Sequence, residues 1–303
     1  MSRTVFLGSS GFAADVLQRL AASDHRPALV ITPPDRPRGR GRRTLPTPAA
    51  AAATELGLEM LKSSNVNEPE ALEKIRASEP EVGVVCAFGQ LIREPLLSEL
   101  EMLNVHPSLL PRWRGAAPIE RAIMAGDPST GISVMQLTAG LDSGPVALQQ
   151  KLAIGPRESF GELERRLADL GGDLLVQALD ARAAGRLELR EQDDALATYA
   201  EKIDPSERHL DPARAAGELD RVVRALTPHV GAYLELDDGE RLGVREATAQ
   251  QGELPAGEIA VEEGLLLGCG EGVLRLDVVQ PAGGRPMEAG AFLRGHRPPA
   301  RAL

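Results

Sequence analysis

The run Val-Gly-Val-Val-Cys-Ala at residues 82–87 is apolar on both faces and rich in β-branched side chains. This composition is typical of a central strand in a parallel sheet, because such a strand is buried on both sides. Shorter apolar runs occur at Thr4–Gly8 and Ala28–Thr32, and Leu103–Val105 and Gly131–Leu137 can continue the sheet. The sequence therefore predicts a mostly parallel sheet that is built from these runs.

Helical patterns alternate with the predicted strands. Apolar side chains have helical spacing over Phe12–Leu20, and Glu158–Ala184 predicts a long helical stretch that breaks near Gly171 and Gly172. Strands that alternate with helices form an open α/β sheet, and ligands bind such sheets at the carboxyl ends of the strands. We therefore expect an α/β fold whose first domain, residues 1–190, is Rossmann-like.

The pattern changes after the first domain. A polar stretch over residues 191–205 predicts a linker, and Asp211-Pro212 has the residue types of an N-cap and first turn for a helix that ends at Leu226. Short apolar runs that are separated by glycine turns then follow at Ala232–Leu236, Arg241–Ala247, Glu258–Val261, Leu265–Cys269 and Val273–Val279. Runs at this spacing form a small barrel or sandwich. We predict an OB-like β-barrel domain over residues 206–303.

Composition and charge exclude several classes of protein. The 303 residues include 34 Lys and Arg against 44 Asp and Glu, which gives a formal net charge of −10. This balance argues against a general nucleic-acid coat or a polybasic membrane anchor. Cys86 and Cys269 are too few for a disulfide framework or a cysteine-only zinc site, and the histidines are scattered. No apolar run approaches the ~20 residues of a membrane span, so we expect a cytoplasmic protein.

The segment Asn104–Ile119 carries the residues that predict chemistry. Asn104 and His106 are two positions apart at the end of a predicted strand, so both side chains face one side. Asp142 lies in a glycine-flanked turn after another predicted strand, where it can meet this pair. Taken alone, His106 is more often a structural histidine. An Asn, a His and an Asp at adjacent strand ends are residue types that suit acyl-type transfer.

These motifs resemble the folate-dependent formyltransferases, whose hallmark is Ser-Leu-Leu-Pro after an Asn-x-His pair. Here the pair is followed by Ser-Leu-Leu-Pro at residues 108–111, and Leu-Asp-Ser-Gly stands at residues 141–144. Three further stretches are similar to those of the family members that formylate methionyl-tRNA. They are the arginine-rich run at residues 36–43, Ala-Ala-Pro-Ile at residues 116–119 and Tyr-Ala-Glu-Lys at residues 199–202. The first turn departs from the family pattern, because Gly-Ser-Ser-Gly-Phe-Ala stands where Gly-Thr-Pro-x-Phe-Ala is usual.

The resemblance implies the transfer of a formyl group from 10-formyltetrahydrofolate to the α-amine of methionyl initiator tRNA, without a metal. Asn104, His106 and Asp142 match the family's catalytic residues. Asn104 would hydrogen-bond the oxyanion, His106 would stabilise its charge and supply a proton, and Asp142 would favour the charged imidazole. The resemblance assigns the folate pocket to Phe88, Gln90, Leu91, Ser108, Leu109, Leu110 and Pro111.

An arginine loop gives the first domain a local positive charge. Its five arginines, within eight residues that include no acid, are Arg36, Arg38, Arg40, Arg42 and Arg43. On charge alone such a run is more often a solvated loop. In a chain of net negative charge, its position beside the predicted ligand edge favours a focused contact with tRNA phosphates. We therefore expect a monomer that contacts tRNA through one face, with the C-terminal barrel as a tRNA-binding domain.

Three other functions stay open on the sequence. A sugar-nucleotide N-formyltransferase or a formyltetrahydrofolate hydrolase would carry the same three catalytic residues, but the arginine loop and the β-rich C-terminal region favour tRNA. An inactive folate- or RNA-binding module is the third, and the presence of Asn104, His106 and Asp142 together argues against it.

Overall fold

The computed structural model describes residues 1–38, 43–261, 264–296 and 300–303. Arg40 and Arg42 lie outside the described residues, and only the backbone of Arg38 and Arg43 is described. The chain divides into two compact units. The first unit comprises Met1–Pro118, Ser129–Ala153 and Glu164–Ala200, and the second comprises Ile119–Pro128, Ile154–Leu163 and Glu201–Leu303.

The helices and strands have the following bounds. In chain order, the strands are β1 (Thr4–Gly8), β2 (Pro27–Thr32), β3 (Arg36–Arg38), β4 (Arg43–Leu45), β5 (Met60–Lys62), β6 (Val82–Cys86), β7 (Met102–His106), β8 (Arg114–Gly115), β9 (Ser129–Gln136), β10 (Val146–Ala153), β11 (Tyr199–Ala200), β12 (Ala232–Glu235), β13 (Arg241–Gln250), β14 (Ile259–Ala260), β15 (Leu265–Gly268), β16 (Val273–Gln280) and β17 (Met287–Glu288). The α-helices are α1 (Gly11–Ala21), α2 (Pro48–Glu55), α3 (Pro69–Ala77), α4 (Leu96–Glu99), α5 (Pro118–Ala125), α6 (Phe160–Ala183), α7 (Ala216–Leu226) and α8 (Ala289–Gly295). Short 3₁₀ turns occur at Asp194–Leu196 and Pro205–Arg208.

A seven-stranded sheet organises the first unit, in the order β10-β9-β7-β6-β1-β2-β5. The five strands from β7 to β5 are parallel to one another. Strand β9 pairs antiparallel with β7, and β10 pairs antiparallel with β9. Every residue of β1, β6 and β7 is buried, as apolar runs on both faces predict. The prediction of an open, mostly parallel, Rossmann-like sheet is therefore confirmed. Strands β2 and β5 lie on one side of β1, and the next strand along the chain, β6, lies on its other side. Where the strand order reverses in this way, a crevice that can bind a ligand opens at the carboxyl ends of the strands.

Helix α6 corrects one prediction, because it runs unbroken through Gly171 and Gly172. A Cβ at Gly171 would lie 3.0 Å from Val105 Cγ1, and a Cβ at Gly172 would lie 2.7 Å from Arg19 Cβ. Both glycines therefore let α6 pack closely against neighbouring elements. An isolated glycine pair costs a helix roughly 1 kcal/mol per residue, which the packing of the remaining turns offsets.

The second unit is built on an antiparallel sheet in the order β12-β13-β16-β15-β14, with β17 paired to β16. The chain end bridges the two edges of this curled sheet. On the β12 side, Leu303 donates to the Glu235 carbonyl at 2.8 Å, and on the β14 side Ile259 donates to the Ala300 carbonyl at 3.0 Å. The C-terminal β-domain is therefore present as predicted. Residues 300–303 form hydrogen bonds with backbone groups at both edges of its sheet.

Helix α7 begins at Ala216 and not at Asp211-Pro212, which corrects the predicted start. Asp211 instead closes a turn, in which its carboxylate accepts from the Ala213 N–H at 2.9 Å. Ala215 precedes the helix without a side-chain cap, and the Ala216 N–H donates to the Glu271 carbonyl at 2.9 Å. A residue far along the chain thus sets the helix start, and no local signal could report it.

The pair Arg121 and Glu207 stabilises the second unit. The Glu207 carboxylate accepts from both terminal nitrogens of the Arg121 guanidinium and from the Asp204 N–H at 2.8 Å. Hydrogen bonding from Arg121 lowers the pKa of Glu207 below its usual value. Because the folded state favours the ionised carboxylate, this contribution is complete above the unfolded pKa and is lost as the pH falls through the folded pKa.

We expect Glu207→Gln to lower the free energy of unfolding by about 0.5–1 kcal/mol at pH 7, since the pair is partly exposed to water. The deficit should shrink as the pH falls below ~4.3, where the parent carboxylate is protonated as well. Urea unfolding at pH 7 and pH 3 measures both values, with the exposed Glu253→Gln as the control. A deficit of equal size at both pH values would contradict a charge-dependent role.

Candidate active site

Three predicted residues meet at the end of β7. Asn104 and His106 are 8% and 4% exposed, and both approach the carboxylate of Asp142. The Asn104 amide Nδ2 donates to Asp142 Oδ1 at 3.4 Å, and His106 Nδ1 lies 3.6 Å from Asp142 Oδ2. Alternation along a strand places Asn104 and His106 on one side, as their spacing predicts. The structure thus brings together the amide, imidazole and carboxylate that the sequence singles out.

The orientation of the His106 ring is set by a backbone carbonyl. His106 Nε2 lies 2.8 Å from the Trp113 oxygen. A carbonyl only accepts hydrogen bonds, so Nε2 carries a proton and donates it. Nδ1 is therefore the nitrogen that faces Asp142, and it gains a proton only in the imidazolium form. The ring is held so that a second proton would point toward the carboxylate.

Asp142 is held in an unusual backbone conformation, with φ of 45°. Its Oδ2 accepts from the Gly115 N–H at 2.8 Å. Trp113, whose carbonyl orients His106, has φ of 62°. A non-glycine residue in the left-handed region costs of order 1–3 kcal/mol and persists only where surrounding contacts enforce it. Two such residues support the same imidazole and carboxylate, which is the kind of strain found at functional sites.

Ser133 supports the loop at residues 108–111, and no sequence pattern pointed to it. Its Oγ donates to the Ser108 carbonyl at 2.7 Å and accepts from the Leu110 N–H at 3.1 Å. Ser133 is fully buried and lies opposite His106 in the β7–β9 register. The Ser108 hydroxyl is also used internally, because it donates to the Arg112 carbonyl at 2.6 Å. These polar groups hold the loop in place.

The remaining residues of this loop present apolar surface. Leu109 is half-buried. Leu110 and Pro111 line a cavity of about 490 Å³ together with Val146 and Leu148. The Pro111 carbonyl accepts from the Thr198 N–H at 3.2 Å. The loop can therefore offer a ligand hydrocarbon walls.

The segment after β6 combines a buried anchor with an exposed tip. Phe88 packs in a hydrophobic cluster with Ile92 and Met102. The Gln90 side chain accepts from the Val66 N–H at 2.9 Å and donates to the Ser63 carbonyl at 2.7 Å, so it braces the loop. Leu91 is 61% exposed, and no hydrogen bond within the described residues uses its N–H. Leu91 is thus the part of this segment that a ligand can reach.

The arginine loop is only partly described. Arg36 is exposed on β3, which forms a two-stranded hairpin with β4. Arg38 and Arg43, the last residue of β3 and the first residue of β4, are paired through their backbones. Arg40 and Arg42 lie outside the described residues. Within the part of the chain that the structure describes, no group of three His, Cys, Asp or Glu side chains is arranged to hold a metal ion. No helix in that part is long and apolar enough to cross a membrane.

Comparison with known families matches almost the whole chain. The model described as "Formyl transferase" matches residues 2–179, and "Formyl transferase, C-terminal domain" matches residues 202–297. A methionyl-tRNA formyltransferase from Cereibacter sphaeroides is 44% identical over 97% of this chain and 96% of its own length. A methionyl-tRNA formyltransferase from Methylobacterium nodulans is 42% identical over the same shares.

Solved structures share the fold at low identity. HypX from Aquifex aeolicus in complex with tetrahydrofolic acid superposes with a TM-score of 0.68 at 14% identity, over 96% of this chain and 47% of HypX. The chain thus spans about half the length of HypX. The sugar 3N-formyl transferase WlaRD superposes with a TM-score of 0.66 at 13% identity, over 90% of this chain and 96% of WlaRD.

The family matches and the curated relatives agree over both units of the chain, and the structural likenesses support the same fold. The chain belongs to the formyl transferase family and is a one-carbon transferase related over nearly its full length to the methionyl-tRNA formyltransferases.

Proposed function

We propose that this chain transfers the formyl group of 10-formyltetrahydrofolate to the α-amine of methionyl initiator tRNA, for translation initiation. The observation that carries this proposal is the meeting of Asn104, His106 and Asp142 at the end of β7. The 44% identity to a methionyl-tRNA formyltransferase supports the choice of tRNA over a sugar or water as the acceptor. We expect the enzyme to act as a cytoplasmic monomer.

The three residues account for the charges of the reaction. The amine attacks the formyl carbon, and the formyl oxygen gains negative charge. Asn104 has a second amide hydrogen besides the one directed at Asp142, and it would donate this hydrogen to the oxyanion. His106 in its charged form would stabilise the same oxygen and give its Nδ1 proton to the departing folate nitrogen, while Nε2 keeps its hydrogen bond to the Trp113 carbonyl.

Asp142 completes the proton balance. Its carboxylate lies 3.6 Å from His106 Nδ1, on the side toward which the second proton of the imidazolium would point. The amine loses one proton as the new C–N bond forms, and the folate nitrogen gains one as the old bond breaks. Asp142 would order a water that accepts the first proton and passes it to His106 Nδ1, so the imidazole and the carboxylate return to their starting states after each turnover.

The segment after β6 suits the polar edge and flat ring of a folate. The Leu91 N–H is an available donor, and its exposed side chain can cover one face of a ring. Gln90 acts by bracing this segment, and Phe88 anchors it in the core. Leu109, Leu110 and Pro111 would supply apolar contacts, with Ser108 fixing their loop. The folate itself supplies the one-carbon unit.

The tRNA contact is assigned to the arginine loop and the C-terminal β-domain. Arg36, Arg38, Arg40, Arg42 and Arg43 would bind phosphates near the acceptor end. In this proposal, residues 1–190 form the catalytic domain, residues 191–205 the linker and residues 206–303 a second tRNA-binding domain. The net charge of −10 restricts such contacts to local basic surfaces.

A three-acceptor assay tests the proposed function. The purified chain is given 10-formyltetrahydrofolate with methionyl initiator tRNA, with an amino-sugar nucleotide, or with neither acceptor. We expect rapid formylation of the tRNA, and at least ~100-fold slower sugar formylation and formate release. Preference for the sugar, or formate release at the same rate as transfer, would replace this function by one of the two alternative activities.

We expect His106→Ala to lower kcat by about 10²–10⁴-fold, the usual contribution of a general acid, and to change folate affinity less than threefold. The loss falls on kcat because the imidazolium acts on charge that develops in the transition state. Single-turnover formylation and folate titration measure the two effects, and the exposed His296→Ala serves as the control. A rate within threefold of the parent would make His106 structural.

We expect Asp142→Asn to lower kcat by about 10²–10³-fold while the melting temperature changes by no more than about 2 °C. The amide keeps an acceptor for the Gly115 N–H but removes the negative charge beside His106. Steady-state kinetics and thermal melting measure this, with the exposed Asp24→Asn as the matched control. An unchanged rate would remove Asp142 from the mechanism.

The arginine loop is tested by replacing Arg40, Arg42 and Arg43 together with Ala. We expect the KM for tRNA to rise more than tenfold and the folate KM to stay within twofold. The slope of log affinity against log salt should flatten by roughly 0.7–0.9 for each lost phosphate contact. A control triple variant removes the exposed Arg3, Arg93 and Arg186. Equal tRNA affinity and salt dependence in both triple variants would move the tRNA contact elsewhere.

A further inference from the structure

Residues 190–200 of the first unit, here called the strap, are hydrogen-bonded to the segment that supports the site. Arg190 exchanges two backbone hydrogen bonds with Val146, at 2.8 and 2.9 Å. Further along, β11 of the strap pairs in parallel with β8. The Thr198 hydroxyl accepts from the Trp113 N–H at 2.9 Å. The strap therefore contacts the segment that orients His106.

One side chain of the strap reaches the turn that carries Asp142. Gln192 Nε2 donates to the Asp142 carbonyl at 2.8 Å and to the Gly144 carbonyl at 2.7 Å. Gln192 Oε1 accepts from Arg114 Nε at 3.0 Å and from the Arg114 terminal nitrogen Nη2 at 2.9 Å. Carbonyls only accept and a guanidinium only donates, so all four contacts agree on one orientation of the Gln192 amide.

Arg114 connects this amide to the other side of the site. Its side chain is 4% exposed, and besides Gln192 its guanidinium contacts the carboxylate of Asp194 of the strap, at 2.7 Å. Arg114 lies in β8 between Trp113 and Gly115, whose carbonyl and N–H contact His106 and Asp142. A buried guanidinium that lost Gln192 would be left with unsatisfied donors, which is costly. Gln192 thus joins the two backbone segments that hold the imidazole and the carboxylate.

We propose that Gln192 is a positioning residue for Asp142. This inference rests on the proposed function. The left-handed backbone of Asp142 is intrinsically unfavourable, and the Gln192 amide holds the carbonyls of the turn on both sides of Ser143. Without these two bonds the turn relaxes toward commoner backbone angles, and the carboxylate moves away from Asn104 and His106. Gln192 acts through Asp142 and does not touch the reacting atoms.

Gln192→Glu isolates the donor side of this amide. The carboxylate still accepts from Arg114, but it presents an oxygen to the Asp142 and Gly144 carbonyls. We expect kcat to fall about 10–100-fold, since a displacement of about 1 Å can cost 10²-fold. The KM values for tRNA and folate should stay within threefold. Glu191→Gln, an exposed change at the neighbouring strap position, should leave all three values unchanged. A kcat equal to the parent would overturn the proposal.

A double variant separates positioning from general support of the fold. If Gln192 acts through the Asp142 side chain, Gln192→Glu should slow the already impaired Asp142→Ala variant by less than twofold. A loss that multiplies with that of Asp142→Ala would mean that Gln192 acts independently of the carboxylate, and would overturn the proposal. If Gln192→Glu fails to fold, Gln192→Met takes its place in the comparison with Asp142→Ala: it removes the two donor contacts together with the acceptor for Arg114, and its loss of kcat should likewise shrink to less than twofold in the Asp142→Ala background.

A measurement that needs no activity distinguishes this proposal from the proposed function. The Gly115 amide is protected by its hydrogen bond to Asp142 Oδ2, so its hydrogen exchange reports the position of the carboxylate. We expect Gln192→Glu to accelerate exchange at Gly115 at least tenfold, with the β1 and β6 amides unchanged. An unchanged Gly115 rate would overturn the positioning role. A parent chain that fails to formylate tRNA would refute only the proposed function.

Discussion

The carboxylate of Asp142 is the contact on which the arrangement of the site depends. It accepts from Asn104 of β7 through one oxygen and from the Gly115 N–H through the other, which also lies beside His106. Its backbone stands at φ of 45°, a conformation that a free turn would leave. The backbone of Asp142 is thus kept in an unfavourable conformation, and this conformation places its negative charge beside His106 Nδ1.

The polar groups around Asp142 are largely buried. Twelve polar or charged residues are buried among the described residues, and five of them belong to this site and its supporting loop: Asn104, His106, Ser108, Arg114 and Ser133. Burying polar groups is favourable only when each finds a partner, and here the partners are strand neighbours, loop carbonyls and the strap. The result is a rigid set of dipoles, which suits the stabilisation of charge that appears only during reaction.

Much of the fold could be predicted from the sequence, because burial of a strand or of one helix face requires apolar residues at a regular spacing along the chain. The β-branched run at residues 82–87 became β6, and the runs after residue 230 became β12 to β16. Predictions failed where local residue type and tertiary packing compete. Gly171 and Gly172 indicated a break, but α6 continues because small residues allow close packing there. Asp211-Pro212 indicated a helix start, but a hydrogen bond to Glu271 sets it at Ala216.

The sequence by itself determined the α/β class, the change to a β-rich second half and the residue types available for formyl transfer. Asn104 and His106 could be paired from their spacing because alternation along a strand is a local rule. Only the tertiary structure decided that Ser133 braces the 108–111 loop and that Gln192 holds the Asp142 turn, 50 residues away along the chain. Hydrogen bonds between distant segments follow from how the chain closes in space, and neither hydrophobic periodicity nor motif spacing carries that information.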